Sequence, residues 1–289
     1  MNNRKGIILA GGKGSRLSPL TNATSKQLLP LYNKPLIYYP LTTLMLSGIK
    51  EYLIITTPYE QDNFKHLLGN GNQWGVSIKY EVQENPGGIS QAFLIGENFI
   101  NKSPVALILG DNLFYGQNLR STLTQANLND NGATLFAYPV KDPKRFGVVT
   151  FDKDKNAISI EEKPKIASSK YAITGLYFYD KNVVEYSKLL RPSKRGELEI
   201  TDLLNMYRKK KKLSADFIGR GGAWLDTGTM DDYYKTISFV SAIENRQGLK
   251  IACLEEISLN KKWIKKNNII KAIKFYGNCD YSKYLLKLI

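Results

Sequence analysis

Short apolar runs alternate with amphipathic stretches through the first half of the chain. Lys5 to Ala10, KGIILA, is a continuous apolar run that ends in two glycines, the pattern of a strand buried on both faces of a parallel sheet. A helix is predicted from Pro35 to Leu46, with Pro35 in its first turn, Ser47-Gly48 at its end and Pro40 able to distort it. Then follow a strand from Tyr52 to Thr57, a helix from Glu60 to Leu68, a strand from Val76 to Val82 and a helix from Ser90 to Phe99. Another buried strand, VALIL at Val105 to Leu109, runs into GDN. This alternation predicts an α/β fold, a Rossmann-like doubly wound and mostly parallel sheet with helices on both faces and right-handed crossovers.

The second half changes period. Ala133 to Val140, Val148 to Phe151, Ile158 to Glu162 and Ala172 to Tyr179 read as strands with few helices between them, hence as antiparallel additions to the sheet. After Trp224 the pattern turns helical, first over Asp231 to Ile243 and then in pieces to Ile289. No internal repeat or Pro/Ser-rich linker interrupts it. The expected organisation is an α/β domain over residues 1–240, followed by a helical C-terminal segment over 241–289. Tyr177, Phe178 and Tyr179 alternate at strand period and are expected to pack in the core rather than stack on a base.

Composition narrows the chemistry. With 43% hydrophobic and 23% charged residues among 289, the chain is that of a globular protein. Its apolar runs are strand-sized, and the N-terminal one meets glycine after four apolar residues, so a cytoplasmic protein without membrane span or secretory leader is expected. Cys253 and Cys279 form no zinc or disulfide pattern, and the single histidine, His66, on the polar side of its helix, excludes a paired-histidine metal site. Chemistry here falls to carboxylates, lysines, arginines and a hard metal. The net charge of +15 is spread along the chain apart from RKKKK at Arg208 to Lys212 and a Lys-rich C-terminus. With no aromatic stacking motif or recognition helix beside it, this charge reads as a Lys-rich solvated surface rather than a nucleic-acid site, and in its functional version as an attraction for phosphorylated substrates.

The glycine loop after the first strand, GGKGSRL, fits neither common phosphate motif. A dinucleotide fingerprint needs a third glycine where Leu17 stands, and Ser18-Pro19 interrupts the helix that should follow. A P-loop through Lys13 would need glycine at Ile7 and Ser or Thr at Gly14. What remains is a loop whose backbone N–H groups converge on phosphate oxygens, with Arg16 adding a forked cation and Lys26 a second one. Asp111 lies just past a buried strand, at the carboxyl edge where open α/β sheets bind ligands, and Asp226 sits in the turn WLDTGT. On spacing alone the two are either turn caps or ligands to one Mg²⁺.

LAGGKGSRLSPLT followed by SKQLLPLYNKPLIYYPL resembles the signature of the sugar-nucleotide pyrophosphorylases, and more narrowly of their thymidylyl-transferring branch. The likeness continues in order through QENPGGISQAF, LGDNLFYG, EEKP, YAITGLYFYD, RGELEITD, WLDTGT and RQGLKIACLEEI, over roughly residues 5–264. It implies a Mg²⁺-dependent enzyme that transfers a thymidylyl group from dTTP to glucose 1-phosphate. The products would be dTDP-glucose, the precursor of deoxysugars such as dTDP-rhamnose, and pyrophosphate. It also implies a homotetramer. The sugar phosphate is already anionic and attacks the α-phosphorus in line, so no general base is required.

By position, the resemblance assigns the catalytic roles to Arg16, Lys26, Asp111, Lys163 and Asp226, with Asp111 and Asp226 holding the metal. It places Gly11, Gly14, Ser15, Gln27, Gln83, Gly88 and Asn112 around the nucleotide, Gln83 facing the base with both a donor and an acceptor. Phe146, Gly147, Glu162, Lys163, Ile173 and Arg195 fall around the sugar phosphate, and Arg220 and Glu256 match a second, regulatory nucleotide site between subunits. Four stretches depart from the pattern. Phe146 replaces Tyr, Ser15 replaces Thr, Gly87-Gly88-Ile89-Ser90 replaces Asp-Gly-Leu-Ala, and Asn260 replaces an arginine of the regulatory site. Two alternatives stay open: a UTP- or CTP-preferring transferase of the same fold, and a non-catalytic nucleotide-sugar-binding protein.

Overall fold

The computed structural model describes residues 3–12 and 14–289, so Lys13 of the glycine loop lies outside the described residues. Its centre is a nine-stranded sheet. Lys5–Ala10 lies between Glu51–Thr56 and Val105–Leu109, parallel to both, and Glu51–Thr56 pairs onward with Ser77–Val82, also parallel. Ile7 and Ile8 are both fully buried, in core clusters on opposite faces of the sheet, which is why this strand reads as an unbroken apolar run. Tyr177 and Tyr179 join one cluster and Phe178 the other, as their alternation predicts.

Beyond Val105–Leu109 the sheet turns antiparallel. Tyr171–Tyr179 pairs with Val105–Leu109 on one side and with Ala133–Pro139 on the other, and it touches Gly147–Phe151, which pairs with Ala157–Glu162. Leu213–Phe217 adds itself parallel to Ala133–Pro139. A separate two-stranded ladder joins Asn112–Gly116 to Gly222–Asp226, with Asp226 opposite Asn112. The doubly wound α/β prediction with added antiparallel strands is met.

Several boundaries differ from expectation for local reasons. Lys34–Pro35 pairs with Pro30–Leu31, and the N–H groups of Leu36 and Ile37 bond to Leu29 and Gln27, so the first helix begins only at Tyr38. It ends at Ser47, with Gly48 at φ 102° as its left-handed cap. Pro40 then falls in the first turn, where its missing N–H costs nothing. The predicted Ser90–Phe99 helix is two pieces, Gln91–Ile95 and Glu97–Ile100. The chain holds more helix than predicted, including Leu119–Leu128 and Ile200–Lys209, the latter burying Ile200, Leu203, Leu204 and Tyr207 at helical spacing.

The expected boundary at 240/241 falls inside one helix, Met230–Gln247, which buries Val240 and Glu244 against the α/β body. Beyond it, the helices Leu254–Asn260, Lys266–Tyr276 and Asp280–Leu286 share a small core of Cys253, Ile264, Ile269, Tyr284 and Leu285. No helix among the described residues is long and apolar enough to cross a membrane.

Glu244 ties this helix down. Its Oε1 accepts from Lys34 Nζ at 2.7 Å and from the Ile251 N–H at 2.8 Å, while Oε2 accepts from Asn33 and Lys250. Burial pushes the Glu244 carboxyl up, but the hydrogen bond and charge of Lys34, then Asn33 and Lys250, bring it below its ordinary value. Breaking a buried pair by removing one partner costs several kcal/mol. Lys34→Met should therefore lose about 3 kcal/mol of stability in urea unfolding at neutral pH. A group with a depressed carboxyl contributes stability above its unfolded value and loses it as pH falls. The gap between wild type and variant should accordingly narrow through the carboxylate range; a gap under about 1 kcal/mol at neutral pH would count against this pair as an anchor.

Candidate active site

The carboxyl ends of Lys5–Ala10 and Val105–Leu109 open into two adjoining hollows of about 250 and 230 Å³ that share Ile89, Leu109 and Asp111. Arg16, Asn112, Phe146, Gly147, Glu162, Lys163, Ile173 and Asp226 line the first. Gly11, Gln27, Gln83 and Gly88 line the second. The first hollow thus holds most residues assigned to the sugar phosphate together with Arg16 and Asn112 of the nucleotide set, and the second holds Gly11, Gln27, Gln83 and Gly88.

Lys26 and Asp111 form the charged centre. Lys26 lies in the 3-10 turn Lys26–Leu28, only 4% exposed, and its Nζ donates to Asp111 Oδ2 at 2.6 Å. Burial pushes the Asp111 carboxyl up, but the charge and hydrogen bond of Lys26, then the Asn112 amide, hold it below its ordinary value. Asn112 Nδ2 donates to Asp111 Oδ1 at 2.8 Å, and its Oδ1 accepts from the Gly175 N–H and from Trp224 Nε1. The Gly175 contact sits where Tyr171–Tyr179 shifts register, and a side chain there would press on Asn112 Oδ1 and Leu109. Asn112 therefore orients Asp111 through its amide nitrogen, while its carbonyl oxygen is taken up by Gly175 and Trp224.

Asp226 is in the opposite electrostatic condition. Burial raises its carboxyl, the nearby Asp111 and Asp232 carboxylates raise it further, and Arg145 opposes them from 4.0 Å. Two carboxylates brought together at one ladder end, one of them short of positive charge, form a site that a divalent cation would relieve. Among the described residues no group of three or more His, Cys, Asp and Glu assembles, so the donor set suits an ion that keeps waters and substrate oxygens rather than a protein-caged metal.

On the sugar-phosphate side, Lys163 follows the strand Ala157–Glu162 at φ 39°, and its N–H bonds to the Phe146 carbonyl. A lysine held in left-handed backbone at a site opening is the kind of strain that binding regions retain. Burial lifts the neighbouring Glu162 carboxyl above its ordinary value in spite of Lys163 and Arg195. Arg195 is committed to three carboxylates, Glu199 at 2.7 Å, Glu162 at 3.2 Å and Glu197 at 3.4 Å, and lines neither hollow. Phe146 packs edge-on against Trp224.

In the phosphate loop, Gly14 takes φ 63° ahead of the short turn Ser15–Leu17, and Ser15 and Arg16 are exposed. Gly14 and Ser15 line neither hollow. Gly88 takes φ 97°, and a Cβ there would lie 2.6 Å from the Leu198 backbone, so only glycine fits. Glu256 lines a separate hollow of about 340 Å³ with Leu46, Tyr115, Gly116, Lys250 and Asn260. Arg220 is exposed on the loop before Gly222–Asp226 and does not line that hollow. Arg145, Tyr177, Thr201 and Trp224 line the site without having been singled out from the sequence. Arg145 was the findable one, a cation directly before Phe146.

The fold and this arrangement define a nucleotidyltransferase. The model of the nucleotidyl transferase family matches residues 5–242, and the chain belongs to that family. Within it, the chain is an enzyme of the glucose-1-phosphate thymidylyltransferase group. It is 53% identical over 285 residues to the glucose-1-phosphate thymidylyltransferase of Neisseria gonorrhoeae, covering 99% of both chains. It is 47% identical to that of Mycolicibacterium smegmatis, again over 99% of both. A crystal structure of a Bacillus anthracis chain assigned to the same activity, with a sucrose bound, superimposes with a TM-score of 0.76 at 42% identity, covering 82% of this chain and 94% of that one. A UDP-glucose pyrophosphorylase complexed with UDP-glucose shares the fold at 24% identity and a TM-score of 0.74, over 86% of this chain and all of that one.

Removing the Asn112 amide would strand two donors, the Gly175 N–H and Trp224 Nε1, and free the Asp111 carboxylate. Asn112→Ala should cost roughly 1–3 kcal/mol for each stranded group, read by urea unfolding. A loss below about 1 kcal/mol in total would show that water replaces the amide.

Proposed function

We propose that this enzyme transfers a thymidylyl group from dTTP to glucose 1-phosphate, releasing pyrophosphate and dTDP-glucose. The observation that carries the reading is the Lys26–Asp111–Asp226 cluster between a glycine-lined hollow and one lined by Lys163 and Glu162. The names of relatives near 50% identity support the substrate pair.

The chemistry follows from charge. An anionic sugar phosphate must approach an anionic triphosphate, so the barrier is lowered by holding both in line and neutralising charge at the α-phosphorus. Lys26, held against Asp111 at the edge of the cleft, donates to the α-phosphate oxygens as the pentacoordinate geometry forms. Arg16 meets the departing pyrophosphate. Lys163 grips the incoming sugar phosphate and Glu162 accepts from the sugar hydroxyls, while Gln83 and Gly88 hold the base. Asp111 and Asp226 would hold a magnesium ion. Bound there, magnesium supplies positive charge to the phosphate oxygens. The substrate brings the nucleophile, so no side chain need be deprotonated.

The preference for thymine over uracil rests on one methyl group, worth about 0.8 kcal/mol, so UTP is a slower second substrate. The exposed apolar side chains of the terminal helices, Ile270, Phe275 and Leu286, support assembly into a homotetramer. The excess of positive charge is assigned to attracting phosphorylated substrates, with no nucleic-acid partner.

Pyrophosphate release by purified protein with Mg²⁺ and glucose 1-phosphate should be fastest with dTTP when dTTP, UTP, CTP, ATP and GTP are offered singly. Asp111→Ala and Asp226→Ala should each lower turnover by about a hundredfold or more. Turnover led by a purine nucleotide, or none from folded protein, would discard the reading.

A further inference from the structure

The second hollow contains a side-chain relay that decides how a base can be read. Gln83 is only 5% exposed and is anchored through its backbone N–H to the Thr56 carbonyl, at the end of the strand Ser77–Val82. Its neighbour in space is Gln91, the first residue of the helix Gln91–Ile95. Two donors converge on a single atom of Gln91, the Gly87 backbone N–H at 2.9 Å and the Gln83 amide at 2.6 Å.

The orientation of both amides follows from the backbone. A peptide N–H cannot accept, so the Gln91 atom facing Gly87 must be its oxygen. The Gln83 atom facing that oxygen must then be its nitrogen, which also points toward the Gly88 carbonyl at 3.5 Å. Gln83 Oε1 is left facing the hollow. It lies over Gly11, where an added Cβ would come within 2.5 Å of it, and it accepts no hydrogen bond among the described residues. Sequence alone left Gln83 with both a donor and an acceptor for the base; the relay withdraws the donor.

We infer that Gln91 is a positioning residue that makes Gln83 a pure acceptor aimed at N3 of the base and out of reach of the 4-substituent, so that the hollow selects pyrimidines carrying an N3–H, uracil and thymine, over cytosine, whose N3 is a lone pair. This rests on the proposed nucleotide reading. A buried acceptor facing another acceptor loses its hydrogen bond and repels, which is how polar sites reject near-isosteres.

The test is calorimetric titration of UTP and of CTP into the full-length protein in magnesium buffer, without sugar phosphate, with turnover of dTTP measured separately. Wild type should bind UTP at least about tenfold more tightly than CTP. Q91E should preserve that ratio, because its carboxylate oxygens still accept from Gly87 and Gln83. Q91M frees the Gln83 amide to turn over, and the ratio should fall to about threefold or less. Q91K offers only donors and should lower the ratio further by drawing Gln83 Oε1 away from the hollow, so the idea stays testable if one variant fails to fold. A wild type that favours CTP, that binds neither nucleotide, or whose ratio survives in folded Q91M and Q91K overturns the inference. Thymidylyl turnover with an unchanged ratio in those variants would remove the relay and keep the transferase; the predicted ratios without turnover would do the reverse.

Discussion

The ion pair between buried Lys26 and half-buried Asp111 is the contact on which the rest of this site depends. Lys26 would not be stable there alone, since an unpaired buried charge carries a large desolvation cost. The pair is held in place by backbone architecture. Val105–Leu109 delivers Asp111 to the carboxyl edge, the turn after the phosphate loop delivers Lys26, and Asn112 links Asp111 to both Gly175 and Trp224. The same ladder that positions Asn112 carries Asp226 as its register partner. Core packing, one register shift and one amide therefore set the position of three charged groups.

Such an arrangement suits chemistry between anions. A protein with one histidine, exposed on the helix Gln61–Leu68, has no candidate for a paired proton relay. Displacement by a phosphate needs none, because the nucleophile arrives ionised and the protein's task is placement and neutralisation. The carboxyls of Asp111 and Asp226 are pushed in opposite directions, one compensated by Lys26 and the other crowded by like charge. That asymmetry leaves Asp226 the carboxylate short of positive charge.

The parallel half of the sheet was legible because its strands are continuous apolar runs bounded by glycine, and Lys5–Ala10 and Val105–Leu109 lie where the pattern places them. Helix Ile200–Lys209 carries its period openly, but it begins inside the polar RGELEITD block and was passed over for the strands around it. At the site, Asp111, Lys163 and Asp226, expected from the ordered motifs, line one cleft, and Lys26 reaches Asp111 from beside it. Arg195 came out differently, because its three carboxylate partners converge only in space. The role of Asn112 as an orienting amide and the Gln91–Gln83 relay are likewise three-dimensional facts, made by a register shift and a loop backbone that no spacing reports.

In the proposed reaction the sugar phosphate displaces pyrophosphate in a single in-line step, with the protein supplying charge and position but no nucleophile. The direct measurement is the stereochemical course at the α-phosphorus, using dTTP bearing a chiral α-thiophosphate and analysing the product by ³¹P NMR. A single displacement gives inversion. Retention would reveal two successive displacements through a nucleotidyl group carried on the protein, and would contradict it.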